Sequence, residues 1–167
     1  MAVADRFSGP ITDRDASPRT KVDAAVMGGT EKFCVGTLET VSGDDIASTY
    51  RFFEIPSNAV MSDLKIYSDD NGTTAAGNIG LYQTTDNGSA VVDADFFASA
   101  LNIAGGALNG TDVLHESAIF GLEDAEKPVW EALGLSADPN LKYDVVMTLT
   151  AASDAAATIT LKGRYTY

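Results

Sequence analysis

Apolar residues recur at every second position through much of this chain, the period of a strand with one face buried. Between residues 60 and 66, Val60, Leu64 and Ile66 share one face while Met61, Asp63 and Lys65 share the other. Ile79 and Leu81 alternate with Gly80 and Tyr82 over 78–84. Val145, Met147 and Leu149 oppose Asp144, Thr148 and Thr150, and Ile159, Leu161 and Tyr165 oppose Thr158, Thr160, Lys162 and Arg164. Two further β-prone runs, 32–41 and 47–55, end at Ser42-Gly43-Asp44-Asp45 and Pro56-Ser57-Asn58, and a last one is expected over 112–120. Turn chemistry separates the runs: Asp69-Asp70-Asn71-Gly72, Asp86-Asn87-Gly88 and Ala152-Ser153-Asp154 supply residues that tolerate positive φ or bond their own backbone.

Two segments break the alternation. In 90–102, AVVDADFFASALN, the positions Phe96, Phe97, Ala100 and Leu101 have mixed three and four spacing, which predicts a short helix capped by Asp93 or Asp95. The second segment, 115–140, holds the single histidine and the single tryptophan. Its Glu123, Asp124 and Glu126 precede Pro128, and Gly134 supplies a stop, so a helix of little more than one turn carries Val129, Trp130 and Leu133. A helix that short is stable only when docked on other structure.

About seven or eight short strands with helical interruptions predict an all-β fold, an antiparallel β-sandwich with one or two short helices in its connections. Parallel α/β is disfavoured because no long crossover helices are present. A jelly roll is preferred, with an immunoglobulin-like Greek key left open, since spacing does not give strand order. Residues 1–30 mix Gly, Pro, Thr, Asp and Arg without a sustained period and read as an extended N-terminal arm, anchored by Val26-Met27-Gly28-Gly29. Residues 31–167 form one sandwich domain.

Charge narrows the function. Eleven Lys and Arg stand against 24 Asp and Glu, a formal charge of -13, and the basic residues are scattered except for Arg14, Arg19 and Lys21. This argues against direct nucleic-acid binding. No apolar run is long enough to span a membrane and the first residues lack the basic start and apolar core of a signal peptide, so the chain is expected to fold in a cytoplasm. In that setting Asn71-Gly-Thr73, Asn87-Gly-Ser89 and Asn109-Gly-Thr111 are turns rather than glycosylation sites. Cys34, the one cysteine, reads as a small strand residue.

Catalytic constellations are missing. One histidine, His115, cannot assemble a multi-histidine metal centre of the cupin kind, and no Gly-x-Ser-x-Gly elbow accompanies it for a triad. The Asp-rich turns lack EF-hand spacing, and Gly28-Gly29-Thr30 lacks the Lys-Ser/Thr of a phosphate loop. The expectation is a non-enzymatic protein without catalytic, cofactor-binding or metal-ligating residues.

The series Thr12-Asp13-Arg14-Asp15-Ala16-Ser17-Pro18-Arg19, Ser48-Thr49-Tyr50-Arg51-Phe52, Ile55-Pro56-Ser57-Asn58-Ala59, Ile79-Gly80-Leu81-Tyr82-Gln83-Thr84, Val92-Asp93-Ala94-Asp95-Phe96-Phe97-Ala98, His115-Glu116-Ser117, Glu123-Asp124-Ala125-Glu126-Lys127-Pro128 and Trp130-Glu131-Ala132-Leu133-Gly134-Leu135 resembles a family of small structural proteins of tailed bacteriophages, encoded beside the major capsid protein. The resemblance runs over nearly the whole chain. It implies a capsid cement or decoration protein made in the host bacterial cytoplasm and carried in the virion, with the major capsid protein and one or two further copies of itself (dimer or trimer) as partners and no cofactor. An extended arm suits that role because it covers much surface per residue and is ordered on binding. The candidate interface residues are Arg14, Arg19, Lys21 and Met27 on the arm, Phe53 in the aromatic run Tyr50, Phe52, Phe53, and Trp130 on the short helix. The alternative is a carbohydrate- or receptor-binding β-domain of the virion surface or tail.

Overall fold

The computed structural model describes residues 7–167; the first six residues of the arm lie outside the described residues. Eight strands form two four-stranded antiparallel sheets. In chain order they are β1 (Lys32–Glu39), β2 (Thr49–Pro56), β3 (Val60–Ser68), β4 (Ala76–Gln83), β5 (Val91–Asn102), β6 (Leu108–Asp112), β7 (Lys142–Ala151) and β8 (Thr158–Thr166). One sheet has the order β1-β8-β3-β6 and the other β2-β7-β4-β5. The hydrogen-bonded pairs are therefore nested: β1 with β8, β2 with β7, β3 with β6 and β4 with β5. The architecture is thus an antiparallel β-sandwich, and this nesting is the strand order that spacing alone left open.

Most alternating strands bury the faces their patterns predict; β3 departs at its start, where a register shift between Met61 and Asp63 turns Met61, expected on the outward face, into the core with Leu64 and Ile66. Leu64 and Ile66 of β3 and Ile159 and Leu161 of β8 meet Ile79 and Leu81 of β4 and Val145, Met147 and Leu149 of β7, all fully buried. Each such side chain contributes about 1.5–3 kcal/mol relative to exposure. The sheets come closest where β1 passes β2: a Cβ built on Gly36 would lie 2.3 Å from the carbonyl oxygen of Phe52, so only glycine fits.

Three sequence expectations are corrected. The segment 90–102 is strand β5, not a helix, and pairs with β4 through repeated register shifts. Those bulges, with Ala100 at φ 49°, turn Phe96, Phe97 and Ala98 inward in succession. That is how a strand comes to imitate helical spacing. The strand expected over 112–120 is the earlier β6; residues 113–121 are instead a connection that drives Val113, Leu114 and Phe120 into the core. Within the arm, Gly9–Asp15 forms a helix, α1, with Pro in its first turn and no buried residue, which leaves no apolar stripe to read. Asn71 is wholly buried, with Oδ1 2.6 Å from Ser153 Oγ, so the first of the three Asn-Gly turns is a loop clamp.

The short helix of the 115–140 segment is α2, Val129–Ala132. Its unsatisfied N-terminal donors find partners in the β2–β3 turn: Val129 N–H donates to the Ala59 carbonyl at 2.9 Å and Trp130 N–H to the Ser57 carbonyl at 2.9 Å. At its other end Gly134, at φ 74°, donates to the Glu131 carbonyl at 2.8 Å and Leu135 to the Trp130 carbonyl at 3.1 Å, a Schellman stop. Two backbone anchors and one buried side chain, Val129, dock a helix too short to stand alone.

Candidate interaction surface

Two segments far apart in sequence meet at one end of the sandwich. The arm folds back along the body, held by the Ser62 hydroxyl donating to Glu31 at 3.1 Å, an Arg164–Glu31 ion pair of 3.3 Å and a hydrogen bond from the Thr166 hydroxyl to the Ala25 carbonyl. No residue of the arm from Phe7 to Thr30 is buried. A cavity of about 600 Å³ remains between Ile11 and Met27 of the arm and Met61, Leu114 and His115 of the body. Beside it, a second hollow of about 380 Å³ is walled by Val26, Pro128, Trp130 and Tyr167, with Asp23 and Glu131 at its edge. The arm is thus laid on the body with space beneath it.

Of the candidate interface residues, the fold gathers Met27 and Trp130 at this end. Met27 is 54% exposed and Trp130 is half-buried, so the tryptophan is no full plug. Val129 beneath it fills that role. Arg14, on α1, is exposed and spends its guanidinium on its neighbour Asp15 through contacts of 2.8 and 2.9 Å. Arg19 and Lys21 are exposed and form no ion pair with a described residue. Phe53 lies elsewhere: its ring packs between the sheets, with Cζ 3.1 Å from where a Cβ on Gly163 would stand.

His115 borders the larger cavity. Its Nδ1 lies 2.9 Å from the Phe120 carbonyl oxygen, which can only accept, so Nδ1 carries the proton. The imidazole stacks on the Phe120 ring at 5.2 Å with 9° between the planes. Structure thus uses the unique histidine to fasten the 113–121 connection. Nor does Cys34 present a thiolate, since burial pushes its thiol up to about 11.

The sequence reading missed the outer face of the β1-β8-β3-β6 sheet. Basic residues that look scattered along the chain come together there: Lys65 stands directly across from Lys162, and Phe33 across from Arg164. With Asp63 and Tyr67 they line a hollow of about 320 Å³. The alternation of Lys162 and Arg164 along β8 is visible in the sequence, but Lys65 joins them only once the β3–β8 register is known.

No protein-family model matches this chain, and no curated protein matches its sequence. Solved structures do match. A chain of the cyanophage Pam1 capsid asymmetric unit superposes with a TM-score of 0.54 at 14% identity, over 89% of this chain and 92% of that one. A chain of the capsid of Ralstonia phage GP4 gives 0.50 at 16% identity, over 88% and 89%. A chain of the acid-stable capsid of Helicobacter pylori bacteriophage KHP30 gives 0.45 at 12% identity, over 83% and 94%. What the first two share with this chain is the fold, nearly end to end.

Proposed function

We infer that the chain is a non-enzymatic structural protein of a phage virion, a cement or decoration subunit that strengthens the head by binding the major capsid protein. The observation that carries this reading is the end-to-end correspondence with chains of phage capsids, 89% of this chain on 92% of the Pam1 chain. The arm supports the same reading. None of its residues from Phe7 to Thr30 is fully buried on its own body, so lifting it costs less than removing a core element, and laying it on a capsomer gains area. Repetition around a shell then multiplies modest contacts into firm attachment.

The test is reconstitution. Shells lacking the protein are incubated with the full chain and with a chain lacking residues 1–28, then pelleted and challenged by heat and osmotic shock. The full chain is expected to co-sediment and raise resistance, and the shortened chain to bind at least about tenfold more weakly while still melting cooperatively. Shells whose resistance is unchanged by saturating full-length protein would remove cementing as the function.

A further inference from the structure

Two surface patches, one on each sheet, carry charge that is left without an ion-pair partner among the described residues: one cation on the first, three carboxylates on the second. The first is the outer face of the β1-β8-β3-β6 sheet. Lys65 and Lys162 face each other across β3 and β8, an arrangement of like charges that weakens a sheet. Arg164 is the next outward residue of β8. Carboxylates hold two of the three: Asp63 lies 3.1 Å from Lys65, and Glu31 3.3 Å from Arg164. Lys162, in the middle, has no carboxylate within 4.0 Å among the described residues and rests 4.4 Å over the Tyr67 ring. Beside this row, on edge strand β1, Phe33 is 62% exposed and Val35 49% exposed.

The second patch belongs to β5 and the connection packed on it. Asp93, Asp95 and Glu116 are tied together through Ser99, whose hydroxyl donates to Asp95 at 3.2 Å and whose N–H donates to Glu116 at 2.7 Å. The Asp95 N–H donates to Asp93 at 3.2 Å. None of the three carboxylates has a cation among the described residues. Burial, with Asp95 adding to it, raises the Asp93 carboxyl above its ordinary value. Apolar side chains flank this patch too: Val91 is 57% exposed on the same strand, and Ile119 is 42% exposed in the same connection.

We propose that these are the two halves of one contact between copies of this chain, the Lys65–Lys162–Arg164 face of one copy receiving the Asp93–Asp95–Glu116 patch of the next. Each half sets unpaired charge, Lys162 on one and the three carboxylates on the other, beside exposed apolar surface, and the unpaired charges are complementary in sign. Because the halves belong to different sheets, one copy cannot close the contact on itself. The association is therefore head to tail, closing into a ring if the rotation allows. This goes beyond the virion reading and does not require it.

The experiment is sedimentation of the full chain in about 0.05 M and about 0.5 M salt, where the Debye length falls from about 14 to about 4 Å. Concentration-dependent association is expected at low salt and its weakening at high salt. Lys162→Glu and Asp95→Lys, both on the surface, should each weaken association about tenfold or more while leaving cooperative melting intact. Mixing the two variants is the decisive arm. Each retains the half that the other has lost, so a head-to-tail contact restores in the mixture the association that each variant alone has lost. Wild-type protein that stays monomeric at both salts overturns the proposal, as does association that neither variant weakens or a mixture that remains monomeric. Shell binding by a strictly monomeric protein would leave the cementing function standing and remove only this contact.

Discussion

Replacing Phe120 with alanine tests whether the 113–121 connection is part of the core or only lies against it. Phe120 has no exposed surface. Its ring lies 5.3 Å from that of Phe96 and 5.8 Å from that of Phe97, with the His115 imidazole stacked on it at 5.2 Å. Its backbone donates to the Phe96 carbonyl at 3.1 Å, so the connection has little freedom to collapse into the space left by the ring. A Phe→Ala change at such a site costs about 3–5 kcal/mol, including about 0.5–1.5 kcal/mol for each aromatic pair lost. Against a total stability of about 5–15 kcal/mol this is severe, and at about 2–4 °C per kcal/mol it corresponds to a fall in Tm of roughly 6–20 °C. Phe120→Leu keeps most of the volume and should cost less than about 1.5 kcal/mol. Urea titration followed by far-UV circular dichroism gives the total, and the fluorescence of Trp130, the single tryptophan, reports the adjoining α2. A loss below about 1 kcal/mol for Phe120→Ala, with an unchanged urea slope, would show that the aromatic group does not carry the connection.

Other substitutions separate surface from support. Trp130→Ala should cost only about 1–2 kcal/mol because the ring is half-buried, whereas Val129→Ala should cost about 1.5–3 kcal/mol; a larger thermal shift for the tryptophan would reverse their roles. In Gly80→Ala the new Cβ would lie 2.1 Å from the Asp93 carbonyl oxygen, backbone that cannot step aside, so about 3 kcal/mol or more is expected from chemical denaturation, against about 1–2 kcal/mol for Gly88→Ala, where only φ 93° opposes the change. The Asp154 carboxyl is held below its ordinary value by the Thr73 hydroxyl and N–H, at 2.6 and 2.8 Å. Its contribution is therefore complete above about pH 4 and lost as pH falls through the depressed value, so the Tm gap between wild type and Asp154→Asn should narrow between about pH 6 and pH 3. A gap that widens on acidification would contradict that linkage.

How much of this was legible beforehand depends on whether the local period survives in three dimensions. In β7, β8 and β3 from Asp63 onward it does, because one face meets the core and the other does not; at the start of β3 a register shift breaks it and turns Met61 inward. In β5 it fails, because successive register shifts against β4 aim Phe96, Phe97 and Ala98 inward together, and a spacing that then resembles a helix is decided by pairing. Val113, Leu114 and Phe120 marked burial but not conformation, since a loop fastened by His115 and Ser117 buries them as well as a strand would, while Ile119 stays exposed. At the candidate surface, the stop at Gly134 and the short helix were readable from local chemistry, and the placing of Met27 and Trp130 beside neighbouring hollows was not. Lys162 and Arg164 alternate visibly along β8, but Lys65 joins them only through the β3–β8 register.

The nested pairing also determines when this protein can exist. β8 comes after the seven other strands, yet it lies between β1 and β3, and its register sets Tyr165 opposite Lys32 and Met61. Until it is in place β1 has no hydrogen-bonded neighbour in its sheet, and β3 has only the short β6. Loop closure over such separations makes folding slow and postpones most of its reward to the end. A chain interrupted before Thr158 is therefore not a smaller sandwich but an unfinished one with exposed edges, and the two-sheet fold is completed only once β8 has been synthesised.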